Sequence, residues 1–250
     1  MFELIKETYY VAWGDLRFMR HTAKGIIISS LAGPLLYLLA FGFGMGVGTY
    51  TDGVPYVAFI IPGIAAMTSL SASFGPTSTR LHVQRVYFRS LDEMMLCPLS
   101  TPAIVLGKSI NGFIRGLVSS CIILLVGFMI VPEYLHLTPL YVISILLSCF
   151  TFSFLGVTAG LMVNSHQTMA TFSSIVVLPM TFLCGTFFAV EGLHPAFQAV
   201  LYALPLTHSS EIVRASALGW DFPWISLVIL FCLCALIFLL NVYLVKTKKV

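Results

Sequence analysis

The tripeptide Gly107-Lys108-Ser109 is the stretch most similar to a nucleotide-binding motif. A phosphate-binding loop of the pattern GxxxxGK[ST] needs a further glycine five residues before Gly107, so that backbone amides can approach the phosphates. That position is Pro102, and no strand precedes it. The sequence therefore predicts no nucleotide site and no ATP hydrolysis by this chain.

The remaining nucleophilic and metal-ligating residues are scattered along the chain. The six histidines form no HExxH pattern, and no GxSxG marks a nucleophile elbow. Cys232 and Cys234 lie about 200° apart on a helix, which is poor geometry for shared metal ligation. Most of the six cysteines fall in apolar stretches, where cysteine packs as a small apolar residue. The six are Cys97, Cys121, Cys149, Cys184, Cys232 and Cys234. We expect no enzymatic activity, no catalytic residue, no metal site and no cofactor bound by this chain.

Composition indicates that lipid surrounds much of the chain. Of 250 residues, 58% are hydrophobic and 9% are charged, whereas a soluble domain carries about 25% charged residues. Crossing a ~30 Å hydrocarbon layer takes about 20 helical residues. Six apolar blocks are long enough: 25–47, 54–76, 102–131, 140–163, 168–189 and 222–245. The predicted fold is an all-α polytopic membrane protein, with six transmembrane helices in a single domain over residues 1–250.

The basic residues are distributed unevenly. They precede the first block, lie between the second and third blocks or just inside the third, or follow the last block, and Arg214 is the exception: Lys6, Arg17, Arg20, Lys24, Arg80, Arg85, Arg89, Lys108, Arg115, Arg214, Lys246, Lys248 and Lys249. Cytoplasmic loops of membrane proteins are enriched in Lys and Arg. Both termini and the segment 80–101 are therefore predicted to be cytoplasmic.

Residues 1–24 predict an amphipathic helix at the membrane surface. Apolar side chains, Trp13 among them, recur every three or four residues, while charged residues such as Arg17 lie largely on another face and Arg20 lies near the first span. This pattern suits a helix with its apolar face in the acyl boundary. A passive anchor and a partner-binding element are both open interpretations.

The segment 80–101 is the one sizeable cytoplasmic connection in this topology. A helix over 83–96 would carry charges of both signs, and Pro98 would end it, because the residue before a proline is pushed out of the α region. The candidate contact residues are Arg85, Arg89, Asp92, Glu93 and Met94. A solvated linker is one interpretation, but we favour a helix that a soluble partner binds.

The segment 190–220 is too apolar for an ordinary loop, yet prolines divide it into pieces too short to span a membrane. Proline suits the first turn of a helix and disrupts the interior, so two short re-entrant helices are predicted on the outer side. The lone outer cation is expected to pair with one of two glutamates. The candidate residues are Glu191, Pro195, Pro205, Glu211 and Arg214.

Charged residues are almost absent from the predicted spans. The third span contains Lys108 and Arg115, in the cytoplasmic half, where long side chains can reach the interface. An ion-coupled transporter usually keeps ionisable residues near the midplane, so any driving force is predicted to come from outside the chain. Gly112xxxGly116 and Gly156xxxGly160 permit close helix packing. A tightly packed bundle leaves little room for a large substrate, which favours a dimer.

Three stretches carry a family resemblance. Leu91-Asp-Glu-Met-Met-Leu-Cys-Pro-Leu-Ser100, followed by Ile104-Val-Leu-Gly-Lys108, is similar to an E-x-L-x-x-P-[VL]-S…LGK stretch. Phe182-Leu-Cys-Gly-Thr-Phe-Phe188, then Leu193-x-Pro195 and Phe197-Gln198, is similar to F-L-S-G-x-F-F-P…L-P…Q, and Pro205-Leu-Thr207, Arg214 and Gly219 match the end of that region. With six spans and an N-terminal helix, the chain resembles the ABC-2 type exporter permeases, which include nodulation lipo-oligosaccharide, daunorubicin-type drug and polysaccharide exporters.

The chain also departs from that family's pattern. Leu204 stands where the family often has asparagine, and His82, Gln84 and Arg85 replace a Glu-Arg-Glu-like run before the coupling helix. We therefore expect the contacts with a partner to differ in detail from those of the family.

The resemblance implies a permease dimer, most simply a homodimer, in a prokaryotic cytoplasmic (inner) membrane. Two copies of a cytosolic ABC ATPase would bind the helix over 83–96, and ATP and Mg would be bound by those partners. Their closure would drive an amphiphilic, lipid-linked or drug-like substrate out of the cytoplasm or inner leaflet. Membrane lipid is an expected partner, and nucleic acid is not. An ion-coupled or facilitative carrier, and a non-transporting membrane assembly protein, are the alternative functions.

Overall fold

Helices make up nearly all of the fold. The structure, a computed structural model, describes residues 2–45, 50–51, 53–186 and 194–247. In this part of the chain the helices are α1 (Phe2–Tyr37), α2 (Tyr56–Val86), α3 (Ser90–Leu96), α4 (Thr101–Ile130), α5 (Pro139–Met162), α6 (His166–Phe172), α7 (Leu178–Leu183), α8 (Pro195–Tyr202), α9 (Pro205–Leu218) and α10 (Trp224–Thr247). Two π-helical segments, Leu38–Met45 and Ser173–Val177, follow α1 and α6, and strands β1 (Tyr50–Thr51) and β2 (Val54–Pro55) pair antiparallel before α2.

Helix α2 lies at the centre of the bundle and packs most extensively against α4 and α5. Nearly every residue of its first half is buried, including the polar Thr68 and Ser69. Their hydroxyls donate to carbonyls of the preceding turn, Ile64 at 2.7 Å and Ala66 at 2.6 Å. Because these two hydroxyls are satisfied within the helix, other helices can cover this part of α2 without leaving Thr68 or Ser69 unpaired.

Glycines allow the neighbouring helices to approach α2 closely. A Cβ at Gly112 of α4 would overlap the Thr77 hydroxyl and the Ser73 carbonyl, and one at Gly116 would overlap the Ser73 hydroxyl. On α5, a Cβ at Gly156 would lie 2.8 Å from the carbonyl oxygen of Phe74. The close packing predicted from the GxxxG pairs therefore occurs within one copy of the chain, at the α2 contacts.

Four of the described helices are long and apolar enough to cross a membrane: α2, α4, α5 and α10. They coincide with the second, third, fourth and sixth predicted spans. The fifth predicted span corresponds to α6, a π-helical segment and α7, which together run from His166 to Leu183. The first corresponds to the last part of α1 and the π-helical segment after it, where the apolar stretch is Leu31–Gly42.

The prediction of a separate helix over residues 1–24 needs correction. Helix α1 runs without a break from Phe2 to Tyr37. The physical reason is that no proline occurs before Pro34, so the backbone hydrogen bonds continue through the boundary expected at residue 24.

The single helix predicted over 83–96 is also wrong. Helix α2 continues to Val86, and a turn at Tyr87-Phe88-Arg89 separates it from α3. The turn requires Arg89 to adopt a left-handed conformation, with φ of 54°. The predicted end of this helix is confirmed, because α3 stops at Leu96, one residue before the extended Cys97 and Pro98.

Prolines divide the segment before α10 into two short helices, as predicted. Helix α8 begins at Pro195 and α9 begins at Pro205, and Gly219, with φ of 70°, ends α9 in the left-handed conformation that glycine tolerates best. Helix α9 does not lie on the surface: it is buried against α2, α5 and α10.

Candidate coupling surface and the two ends of the bundle

The bundle has one end that concentrates basic residues, hereafter the basic end, where the first half of α1, the last turns of α2 and the first turns of α4 meet. Helix α3 lies at this end and is held by Leu91, which is 1% exposed and packs with Leu81 and Ile104. Its acidic residues Asp92 and Glu93 point to solvent. The half-buried Met95 packs against the same cluster, so apolar contacts hold this helix of seven residues in a defined place.

Exposed apolar and charged side chains surround Leu91. Phe88 is 71% exposed and Leu96 is 88% exposed, whereas Met94 is half-buried. We name the exposed set the coupling surface: Tyr87, Phe88, Arg89, Asp92, Glu93 and Leu96. Large apolar groups rimmed by charges are typical of a surface that another protein covers.

Arg85 does not belong to the coupling surface. It is half-buried, and its Nη2 donates to the carbonyl of Val163 and, at 2.9 Å, to the side-chain oxygen of Asn164. These acceptors lie between α5 and α6. Arg85 therefore links the end of α2 to the connection between α5 and α6, at the same end of the bundle.

Two histidines that are not among the predicted contact residues reinforce this connection. His82 is fully buried, and its Nδ1 donates to the Val163 carbonyl at 2.9 Å. Its ring lies 5.0 Å from that of His166, which in turn stacks on Tyr87 at 5.4 Å. A residue of the coupling surface is thus in contact with the start of α6.

Asp15 of α1 holds the basic end together. It is 3% exposed, and its Oδ1 accepts hydrogen bonds from Arg80 Nε at 2.5 Å and from Gln84 Nε2 at 2.8 Å. Its Oδ2 lies 3.3 Å from the ammonium of Lys108, which also donates to Gln84 Oε1 at 2.8 Å. Helices α1, α2 and α4 are therefore joined by one buried charged network.

The structure explains the tripeptide that resembles a phosphate-binding loop. A Cβ at Gly107 would lie 2.6 Å from the Cβ of Val11, so glycine lets α1 pack directly on α4. Lys108 is 5% exposed and pairs with Asp15, which corrects its interpretation as an interfacial anchor. The hydroxyl of Ser109 donates to the Leu106 carbonyl at 2.8 Å.

The predicted apolar stripe of α1 faces away from the bundle, with Trp13 52% exposed. Arg17 and Arg20 are exposed as well. Closer to the N-terminus, Glu7 accepts hydrogen bonds from the hydroxyl and from the backbone amide of Ser100, the amide at 3.0 Å. Both hydrogen bonds hold the pKa of Glu7 below its ordinary value, and the one from the Ser100 hydroxyl has the larger effect.

At the opposite end, Arg214 of α9 fastens α2 to the residues after α7. It is 7% exposed, and its guanidinium donates to the carbonyls of Phe59 at 3.3 Å, Gly185 at 2.6 Å and Thr186 at 3.3 Å. The guanidinium carbon also lies 3.9 Å from the centroid of the Phe59 ring. Gly63 is required nearby, because a Cβ there would come within 2.9 Å of Arg214 Nη2.

The expected ion pairs of Arg214 have different outcomes. Glu211 instead accepts a hydrogen bond from Ser226 at 2.6 Å, and its pairing with Arg214 is not among the ion pairs of the described residues. The physical reason is that backbone carbonyls already surround the guanidinium. The alternative partner, Glu191, lies outside the described residues.

A cavity of about 620 Å³ opens beside Arg214, between α9 and the start of α10. Aromatic rings of Trp220, Phe222 and Trp224 line it together with the carboxylate of Glu211. Such a lining offers apolar faces and polar groups side by side, which is the chemistry that an amphiphilic ligand requires. No three His, Cys, Asp or Glu side chains among the described residues are placed to hold a metal ion.

Comparison with known proteins identifies the family. Residues 6–218 match the model of the ABC-2 type transporter family, which covers most of the chain. The chain belongs to the ABC-2 type transporter family.

Relatives of this ABC-2 permease include two nodulation proteins and a transport permease. Nodulation protein J of Rhizobium meliloti (strain 1021) is 29% identical over 255 residues, covering 96% of this chain and 90% of that protein. Nodulation protein J of Sinorhizobium fredii (strain NBRC 101917 / NGR234) is 31% identical over 220 residues, covering 84% and 78%. The inner membrane transport permease YadH of Escherichia coli (strain K12) is 24% identical over 209 residues, covering 81% and 79%.

Family membership gives the coupling surface a context. ABC-2 permeases work with ATPase subunits, and the matched region contains α2 to α9 and all but the first four residues of α1. Of the residues predicted to contact a partner, the structure brings Arg89, Asp92 and Glu93 together at the surface. It places Met94 at the edge and Arg85 behind it.

Proposed function

We propose that this chain is the membrane-spanning permease of an ATP-driven exporter, powered by a separate cytosolic ATPase that binds the coupling surface. The observation that carries the proposal is the arrangement of α3: Leu91 is buried while Phe88, Leu96, Asp92 and Glu93 are exposed beside it. Large exposed apolar side chains surrounded by charges are typical of a surface that a partner protein covers.

The contacts behind α3 would transmit a force applied to it. Ser100, which follows α3, donates a hydrogen bond to Glu7 of α1. Asp15 of α1 forms ion pairs with Arg80 of α2 and Lys108 of α4. Arg85 extends the connection to the residues before α6. A displacement of the coupling surface would therefore move several helices together, as a transporter driven from outside the membrane requires.

The remaining features of the proposal concern topology and assembly. The chain would cross the inner membrane of a prokaryote six times. The first part of α1 would lie at the membrane surface, and α8 and α9 would be re-entrant. Both termini would be in the cytoplasm, an orientation supported by the basic residues that are concentrated at one end. Two copies would form a homodimer and bind two ATPase copies, which would hold the ATP and Mg. The cargo would be amphiphilic, lipid-linked or drug-like, in keeping with the aromatic and polar lining of the cavity beside Arg214.

Co-purification tests the proposal. The permease is co-expressed with each candidate ABC ATPase of its own organism, and complex formation is measured with and without ATP for the wild type and for Asp92→Arg. The matched control is Glu133→Arg, which reverses an exposed carboxylate at the opposite end. We expect the complex to fall at least tenfold for Asp92→Arg and to persist in the control.

Two results would overturn the proposal. One is a folded wild-type permease that retains no ATPase under any nucleotide condition. The other is transport that continues in vesicles lacking ATP and ATPase, which would instead support an ion-coupled or facilitative carrier. Circular dichroism and gel filtration of each variant separate loss of binding from loss of fold.

A further inference from the structure

A second, smaller cavity of about 270 Å³ lies where α1, α2 and α4 meet, on the membrane side of the Asp15 network. Its apolar walls include Phe18 and Met19 of α1 and Val83 of α2. Its polar residues are Thr79, Arg80, Asn111 and Arg115. The proposed ATPase coupling makes no use of this cavity.

Two of the polar groups lack partners. Asn111 is 5% exposed, and its side-chain oxygen makes no hydrogen bond within the described chain. The Nε of Arg115 is buried and likewise without an acceptor there. An asparagine amide can rotate to present its NH₂ group instead of its oxygen, so both residues can offer donors to one ligand. Buried polar groups that remain unpaired are costly, which indicates that something occupies the cavity.

Charge defines what that occupant must be. Three cations, Arg80, Lys108 and Arg115, lie at this junction, and the carboxylate of Asp15 is already engaged by Arg80 and Lys108. Arg115 therefore has no counter-charge among the described residues that form the site. A guanidinium in partly apolar surroundings favours an anion, and its planar donors match phosphate oxygens.

The position of the cavity selects the source of that phosphate. Arg115 lies seven residues beyond Lys108 on α4, about 10 Å further along the helix axis at 1.5 Å per residue, within a helix apolar enough to span the membrane. Phe18 at the cavity wall is 54% exposed on the outside of the bundle, where lipid would lie. Basic pockets between spanning helices at the cytoplasmic face are typical sites for anionic lipid headgroups.

We propose that this cavity binds the phosphate of an anionic phospholipid in the cytoplasmic leaflet. Arg115 and Asn111 donate to the phosphate, Arg80 adds positive charge, and the acyl chains lie outside along the exposed face of α1. The leaflet follows from the proposed topology, but binding itself requires neither the ATPase nor transport.

Native mass spectrometry of the purified permease in neutral detergent tests this site. Phosphatidylglycerol, phosphatidylcholine and inorganic phosphate are titrated separately, which distinguishes an anionic lipid from a zwitterionic one and from free phosphate. The variants are Arg115→Gln and Asn111→Ala. Arg89→Gln is the matched control, because Arg89 is an exposed arginine of the same end outside the cavity.

We expect the wild type and Arg89→Gln to retain phosphatidylglycerol in preference to phosphatidylcholine. Affinity for phosphatidylglycerol should fall about tenfold for Arg115→Gln and severalfold for Asn111→Ala. Equal retention of both lipids by the wild type, unchanged phosphatidylglycerol binding by Arg115→Gln, or inorganic phosphate competing fully with the lipid would each overturn the proposal. Unfolding temperatures without added lipid show whether a variant is folded, and Arg115→Lys, expected to bind with intermediate affinity, is used if the glutamine variant is not.

Discussion

The Oδ1 atom of Asp15 in α1 lies 2.5 Å from the Nε atom of Arg80 in α2, and this partly buried ion pair joins two residues that are 65 positions apart in the chain. Lys108 of α4 shares the same carboxylate. Three helices thus depend on one negative charge at the basic end. Because the charge is buried, its removal has consequences that an exposed carboxylate would not have.

Replacement of Asp15 by asparagine is expected to destabilise the permease by about 3–5 kcal/mol, the range found when one member of a buried ion pair is removed. The cause is the ammonium of Lys108, whose side chain is 3% exposed and would lose its counter-charge. Denaturant unfolding in detergent measures the effect. Glu3→Gln is the control, because Glu3 is an exposed carboxylate on the same helix.

A double variant sharpens this test. Asp15→Asn combined with Lys108→Gln removes both charges, so it should be more stable than the sum of the two single effects predicts. Strict additivity of the two losses would show that the carboxylate and the ammonium do not interact.

Gly112→Ala should destabilise the bundle, whereas Gly75→Ala should not. A Cβ at Gly112 would overlap the Thr77 hydroxyl and the Ser73 carbonyl, while one at Gly75 meets nothing within 4 Å. Overpacking costs about 1–3 kcal/mol, and alanine at an open helical position gains up to about 1 kcal/mol over glycine. Thermal unfolding of the two variants gives the comparison, and a shift of equal size and sign in both would contradict the packing of α4 on α2.

Arg214→Lys should lose stability although it keeps the charge. One ammonium cannot replace a planar guanidinium that donates to the carbonyls of Phe59, Gly185 and Thr186. A loss of about 1.5–3 kcal/mol is expected for hydrogen bonds to a charged group. Arg89→Lys, at an exposed arginine, is the control. If the unfolding midpoints of the two variants agree within error, the hydrogen bonds of the Arg214 guanidinium do not stabilise the fold.

Glu7 predicts a pH-dependent contact between α1 and the start of α4. Since hydrogen bonds from Ser100 lower the pKa of Glu7 in the folded protein, their stabilising effect is present above the unfolded pKa of about 4.3. The effect is lost as the pH falls through the lower folded value. Hydrogen exchange of the first turns of α1 should therefore rise on acidification, after correction for intrinsic rates. Glu7→Gln should abolish this dependence and Glu3→Gln should keep it; a rise that persists in Glu7→Gln assigns it to another group.

Parts of the structure were predictable because they depend on local properties. The long apolar runs of α2, α4, α5 and α10 follow from the thickness of a bilayer, and the breaks at Pro98, Pro195 and Pro205 follow from the missing amide hydrogen and fixed φ of proline. The break that divides the predicted 83–96 helix into the end of α2 and α3 was missed. It depends on the left-handed conformation of Arg89, which is uncommon for arginine and cannot be predicted from the residue type.

The candidate site was only partly predictable for a similar reason. The exposure of Asp92 and Glu93 was predictable because they form a charged group within a short segment, and their contact with a partner stays a prediction. Asp15 was overlooked because a polar residue on an amphipathic helix is normally solvated. Arg214 was expected to pair with Glu211 or Glu191, whereas its acceptors within the described residues include backbone carbonyls, which a side-chain pattern cannot indicate.

The sequence by itself determined that lipid surrounds much of this protein, the approximate positions of most apolar spans, and the family. These follow from hydropathy, the uneven distribution of charge and short motifs, which are all properties of the linear sequence. Only the tertiary structure decided that Asp15 pairs with Lys108, that Arg85 lies behind the coupling surface, and that the buried Nε of Arg115 has no acceptor within the described residues. Such relationships join residues far apart in sequence. Their strength depends on burial and distance, and both of these arise only when the helices pack.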